Sequence, residues 1–304
     1  MALREDKARP TRVEGDVMTQ VVVAVDGSRA AEQAVTWAAN EAVLRGAALR
    51  LVHASLWERY EAGTEHDAND SSVRARDAAR QMLTDQADAA RAAHPGLHVT
   101  TETLAQETVP ALLEAGREAA LLVMGIRGLG AMKGLMLGSI SQRVAAHALF
   151  PVVIVPEGAS GSAVGRVVLG LGAHQPPGAA GEFAAAEAAL RGAELDVVHA
   201  WEPDWEVVGL SAVGDSSSAQ HRAEVLVAAV TCGLDLEQTA PGVKVQGQAV
   251  PGPAAEALVR AGADADLLVL GVRRRHGGLG RVAHAVLHRA SCPVAVVPLA
   301  DGRA

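Results

Sequence analysis

"LLVMGIRGLGAMKGLMLGS", residues 121–139, starts as an unbroken apolar run and changes at Gly125 into a glycine-rich stretch that ends on Gly138 and Ser139. A short continuous apolar run bounded by glycine is the pattern of a strand buried on both faces. The same opening returns as "LLVLGVR" at 267–273, an offset of 146 residues. That offset also sets "VVVAVDGS" (21–28) on "VVLGLGAH" (167–174) and "LRLVHA" (49–54) on "LDVVHA" (195–200). Beyond the loop the offset falls to 142, pairing "FPVVIVP" (150–156) with "CPVAVVP" (292–298). One unit has been duplicated, and its second copy is four residues shorter in the loop.

Each copy alternates Val/Leu/Ile runs with alanine-rich stretches of helical spacing. In the first copy strands are expected near 20–26, 48–54, 98–104, 120–125 and 152–156, and helices near 29–46, 70–94, 108–118 and 139–148. In the second, strands recur near 166–172, 194–200, 244–250, 266–271 and 294–298. Strand-helix alternation implies right-handed crossovers and a parallel, doubly wound sheet. The expected architecture is α/β, with two tandem flavodoxin-like domains, each a five-stranded parallel sheet with helices on both faces. The domains span 19–156 and 166–300, joined by a small, polar linker at 157–165. Residues 1–18 lack periodicity and read as a disordered tail.

Composition narrows the function. Of the 304 residues 49% are hydrophobic but only 2% aromatic, so the core must be Ala, Val and Leu packed closely, helix on sheet. A net charge of −8 and few aromatic rings argue against a nucleic-acid surface. No apolar run approaches a membrane span, and the reading is a soluble, cytoplasmic protein without a membrane partner. Cys232 and Cys292 are far apart and are expected to be buried, reduced thiols.

In an open parallel sheet, ligands collect beyond the carboxyl ends of the strands where strand order reverses. Asp26, Gly27 and Ser28 end the first strand, and Gly125 ends the fourth, so both should face one crevice. The loop spacing is Gly125-x2-Gly128-x9-Gly138-Ser139, with Arg127 and Lys133 adding positive charge. Glycines admit positive φ and close approach of amides, and Ser139 is placed to cap the next helix. Local composition alone leaves a phosphate cradle and a slack connection both open, as it does a plain turn role for Asp26. Neither G-x-x-x-x-G-K-[ST] nor a G-x-G-x-x-G after the first strand is present.

The segments "VVVAVDGS", "LVHA", "LLVMGIRG", "GSISQRV" and "PVVIVP", with that glycine spacing, resemble the ATP-binding branch of the universal stress protein family. The resemblance runs from about residue 19 to 299, as two copies. It implies an adenine-nucleotide-binding domain that pairs through its last strand, with strands 152–156 and 294–298 meeting in an intramolecular pseudo-dimer; a further homodimer of chains stays open. By analogy Asp26 contacts the adenosine portion, with Ala24 and Val25 beside it, and Ala54 lies against adenine. Met124, Gly125, Arg127 and Gly128 border ribose and phosphates, and Gly138, Ser139 and Ile140 hold the phosphate tail. Magnesium or manganese would accompany ATP by leaning on phosphate oxygens and water, with no dedicated metal ligands in the protein.

The second copy departs from this pattern. Gly172 stands for Asp26, His174 for Ser28, Arg274 for Gly128, and Gly280-Arg281 for Gly138-Ser139. A degenerate second site is therefore expected, with Arg273, Arg274, Arg275 and Arg281 a solvated basic loop or a site for another anion. His284 and His288 share a helix face, but no third or fourth metal ligand sits at suggestive spacing. His53 and His199 are expected as partly buried strand-end residues. No nucleophile has an assigned base, so the expected role is nucleotide sensing, with ATP ordering the 126–137 loop, rather than catalysis. The alternatives are a slow ATP-hydrolysing enzyme and a ligand-free dimerisation scaffold.

Overall fold

A computed structural model of the chain describes residues 19–56, 68–128, 137–159, 164–172, 178–202, 216–234, 240–273 and 278–299. The expected tail, Lys133, His174, Arg274 and Arg275 lie outside the described residues. The first repeat runs β1 (Gln20–Ala24), α1 (Arg29–Arg45), β2 (Ala48–Ala54), α2 (Ala68–Ala93), β3 (Val99–Leu104), α3 (Thr108–Ala115), β4 (Leu121–Gly125), α4 (Ser139–His147) and β5 (Val152–Val155). The second runs β6 (Arg166–Leu171), α5 (Gly178–Arg191), β7 (Glu194–Trp201), α6 (Ser216–Gly233), β8 (Val245–Pro251), α7 (Ala254–Ala261), β9 (Leu267–Val272), α8 (Arg281–Arg289) and β10 (Val294–Pro298).

All ten strands form one sheet in the order β3-β2-β1-β4-β5-β10-β9-β6-β7-β8. Within each repeat every pairing is parallel, as the buried Val/Leu runs predict. Residues 121–125, "LLVMG", are buried throughout. Alternate strand side chains feed two cores, one under α1, α2, α5 and α6, the other under α3, α4, α7 and α8. Alanine makes the first core close-packed: Ala34, Ala38, Ala39 and Ala42 all enter it from α1. Ser28 starts that helix by accepting the Ala31 N–H at 3.2 Å, and Gly46 ends it in the left-handed region at φ 60°.

The repeats meet where β5 pairs with β10, and there the ladder turns antiparallel. Val153 pairs with Ala295, its own counterpart at the offset of 142, so a local two-fold axis passes through that pair. Above it lies a feature the sequence reading did not anticipate. Glu41 and Arg45 on α1 meet their counterparts Glu187 and Arg191 on α5, and each arginine binds both carboxylates. Arg45 stacks over Phe183 at 5.8 Å, and Arg191 over Trp37, the counterpart of Phe183, at 5.7 Å. Both glutamates are sealed from solvent, at 1% and 0% exposure. Charges this deep persist only when paired and hydrogen-bonded, so the square ties each helix to the other in one register.

Burial, reinforced by the Glu41 carboxylate, pushes Glu187 up to about 7 against the pull of Arg191 and Arg45. The folded chain thus holds a proton that the unfolded chain releases near 4.5, and stability should fall as pH rises from about 4.5 to about 7. Glu187→Gln should flatten that slope in pH-resolved denaturant unfolding. Arg191→Ala, which strands two carboxylates with one guanidinium, should cost about 3–5 kcal/mol in the same measurement.

One smaller expectation is corrected. Cys292 is buried, with its thiol pushed up to about 11 by burial, but Cys232 is exposed on α6. Position 232 lies on the outer face of an alanine-rich helix, where sequence periodicity is weak.

Candidate functional site

β1 and β4 are hydrogen-bonded neighbours at the centre of the first repeat, with β2 on one side and β5 on the other. From β1 the chain winds outward through β2 and β3, and from β4 it proceeds to β5 in the opposite direction. The carboxyl ends of β1 and β4 therefore flank the switch point, where loops diverge and leave a crevice. A cavity of about 290 Å³ occupies it. Ala24, Val25, Asp26, Ala54, Met124, Gly125, Arg127, Gly128, Gly138, Ser139 and Ile140, all singled out from the sequence, line it together. Ala31, Val52, His53, Thr108, Leu112 and Ser141 complete the lining and were not anticipated. Leu112 and Thr108 come from α3, whose approach to the crevice is a tertiary fact with no local motif. Ser141 follows an already noted serine by two residues, and only its helical position turns it inward.

The cavity has two chemical ends. Val25, Val52, Leu112 and Met124, each under 5% exposed, make an apolar slot. Opposite lie Arg127 and the start of α4. Gly138, not Ser139, is the N-cap of that helix, with extended φ of −70°, and Ser139 is the first helical residue. The expected serine cap is thus displaced by one position, because Gly138 N–H donates to Ile126 O at 2.7 Å and closes the loop there. The first intrahelical bond is Gln142 N–H to Gly138 O, which leaves the amides of Ser139, Ile140 and Ser141 ahead of the ladder. Ser141 Oγ donates to Gly125 O at 2.9 Å, pinning the helix start to the end of β4. Such a terminus, with exposed Ser139 beside it, attracts an anion.

The glycines serve proximity rather than unusual dihedrals. None of Gly125, Gly128 and Gly138 has positive φ, contrary to one rationale drawn from sequence. A Cβ on Gly125 would lie 2.7 Å from the Ala30 backbone, and one on Gly128 would lie 2.3 Å from Asp26 Oδ2. Asp26 itself accepts the Ser28 N–H at 3.0 Å through Oδ1, so the turn role and the cavity position belong to the same carboxylate. Ser28 Oγ reaches Arg127 O at 3.3 Å and joins the two loops. His53 Nδ1 is 2.8 Å from Val25 O and must carry the proton there, because a carbonyl only accepts.

In the second repeat the same scaffold is filled differently. His199 Nδ1 approaches Leu171 O at 2.9 Å, repeating His53, but it is buried. Gly170 replaces Ala24, and methyls of Leu270 and Leu258 lie 2.8–3.2 Å from where its Cβ would be. The cap glycine of α8, Gly280, takes φ 73° where Gly138 takes −70°. The His284 and His288 rings do share a face, at 4.4 Å between centroids. Burial and the neighbouring His284 lower the His288 pKa. Among the described residues no cluster of three or more His, Cys, Asp or Glu forms, and no helix is long and apolar enough to cross a membrane.

A doubly wound flavodoxin-like unit, duplicated and carrying a crevice at the β1/β4 switch point, defines a known class of small α/β domains. The chain belongs to the universal stress protein family, whose model matches residues 18–156 and again 164–298. Universal stress protein Rv2005c of Mycobacterium tuberculosis is 33% identical, covering 91% of this chain and 96% of its own. Rv1996 of the same organism is 29% identical, covering 91% and 94%. The crystal structure of a universal stress protein from Archaeoglobus fulgidus shares the fold at a TM-score of 0.66 and 19% identity, covering 92% of this chain and 98% of that one.

The two tight glycines should differ in what they tolerate. Gly125→Ala pushes against backbone and should cost about 1–3 kcal/mol of stability, whereas Gly128→Ala meets only a movable carboxylate and should cost under about 1 kcal/mol. Denaturant unfolding of the two full-length variants checks the order.

Proposed function

We propose that the first repeat binds one adenine nucleotide, ATP, and that the chain works as a cytoplasmic nucleotide-responsive module of the stress response rather than as an enzyme. The observation that carries this reading is the meeting, in one cavity, of an apolar slot, the Asp26 carboxylate, and the open amides of α4 with Arg127. Asp26 beside a ribose suits its hydroxyl donors, and the slot of Val52, Ala54, Leu112 and Met124 suits a flat base. The α4 amides and Ser139 suit phosphate oxygens. A magnesium or manganese ion would ride on those oxygens and water, neutralising phosphate charge beyond what Arg127 compensates.

Binding rather than turnover is the reading because the crevice residues have structural duties: the Asp26 carboxylate holds the Ser28 amide, and the His53 imidazole holds Val25 O. A ligand held this way acts by differential affinity for conformations of the chain, and a protein partner reads the outcome. The second repeat does not take part in this reading, because Leu258 and Leu270 crowd the place of Ala24 and Gly172 lacks a carboxylate.

Titration calorimetry of the full chain with ATP and magnesium should give one site. Gly128→Val should abolish the binding heat while leaving the unfolding midpoint within a few degrees, and Asp26→Ala should weaken binding by about tenfold, the loss of one charge-assisted hydrogen bond. Sustained ADP release at about 1 per second or faster would contradict the binding-module assignment.

A further inference from the structure

The Arg127 backbone is held by Ser28 and its side chain lines the cavity at the polar end. Its Nη2 pairs with Glu157 Oε2 at 3.2 Å, while its Nε is buried with no hydrogen-bond partner among the described residues. Glu157 is the first residue after β5 and Pro156, at the start of the segment joining the repeats. The adjacent Gly158 N–H donates to Gln33 Oε1 on α1 at 3.1 Å. The beginning of the linker is thus fastened by two polar contacts, one to a residue of the cavity wall and one to α1.

We propose that Glu157 holds, in cis, the position on Arg127 that an incoming phosphate takes, so that a phosphorylated nucleotide displaces Glu157 and frees the start of the linker. The inference rests on the nucleotide reading of the cavity. An ion pair with both partners about a third or more exposed is weakly held. A polyphosphate offers the same guanidinium more negative charge and several acceptors, including one for the spare Nε–H, so it outcompetes a single carboxylate.

The second repeat supplies an internal comparison. Arg273 occupies the position of Arg127 and likewise has a buried Nε with no partner among the described residues. At the place of Glu157 stands Leu299, whose methyls pack over Gly271. An acid is therefore not required to settle an arginine at the end of this strand. It is found in the repeat whose crevice carries the nucleotide reading, which fits a role tied to the ligand rather than to folding.

The test uses the full chain, with adenosine and ATP as probes in calorimetry. Glu157→Gln removes the competing charge and should tighten ATP binding about threefold while leaving adenosine affinity unchanged. In an Arg127→Met background, the Glu157→Gln effect on ATP should vanish. Hydrogen exchange at the amides of residues 157–159 should speed up in the wild-type chain when ATP is bound. Unchanged or weaker ATP binding by Glu157→Gln, or protection of residues 157–159 by ATP, overturns the proposal and leaves the nucleotide site standing. Failure of the wild-type chain to bind either probe overturns the nucleotide reading and this inference with it.

Discussion

Antiparallel pairing of β5 with β10 is the constraint on which the arrangement of both repeats depends. Each repeat alone would present a Val-rich last strand as an open edge, and such edges invite uncontrolled pairing. Joining them buries both, and covalent linkage makes the event intramolecular. Because the pairing is antiparallel, strand ends that point one way in the first repeat point the other way in the second. The carboxyl ends of the two sets of parallel strands consequently lie at opposite ends of the ten-stranded sheet. The buried square of Glu41, Arg45, Glu187 and Arg191 then fixes the register, since a slip would strand carboxylates in a site with no water.

Within the first repeat the residues of the crevice have structural duties that also shape it. Asp26 closes the turn after β1 and faces the cavity, Gly128 lets the loop lie against that carboxylate, and Ser141 holds α4 to β4 while its neighbours leave their amides open. The cavity is therefore pre-organised by the same bonds that end the strands, and little reordering of these described walls is needed on binding. In the second repeat, substitutions as small as Ala24 to Gly170 and Met124 to Leu270 let leucine side chains close in on the equivalent space.

Much of this was legible in the sequence, because it follows from local pattern. Buried strands read as apolar runs, duplication as two offsets, and the switch-point loops as Asp26 and the spaced glycines. The meeting of the first and fourth strands at one crevice followed from the doubly wound fold, and the partnership of β5 with β10 from the family resemblance. What escaped was tertiary. Glu41 and Arg45 stand four apart on a helix, a spacing that reads as an ordinary exposed pair until the two-fold axis brings Glu187 and Arg191 against them. Leu112 and Thr108 reach the cavity only through the packing of α3. Serine favours the cap position, which makes Ser139 the expected cap, whereas the loop-closing bond of Gly138 shifts the helix start by one residue.

The central claim is that duplication left one competent nucleotide site in a chain with two copies of the fold. Native mass spectrometry of gently purified, untreated protein, followed by titration with ATP and magnesium, reads this directly. The account predicts saturation at one adenine nucleotide per chain. Saturation at two equivalent nucleotides, or none bound at any concentration tested, would contradict it.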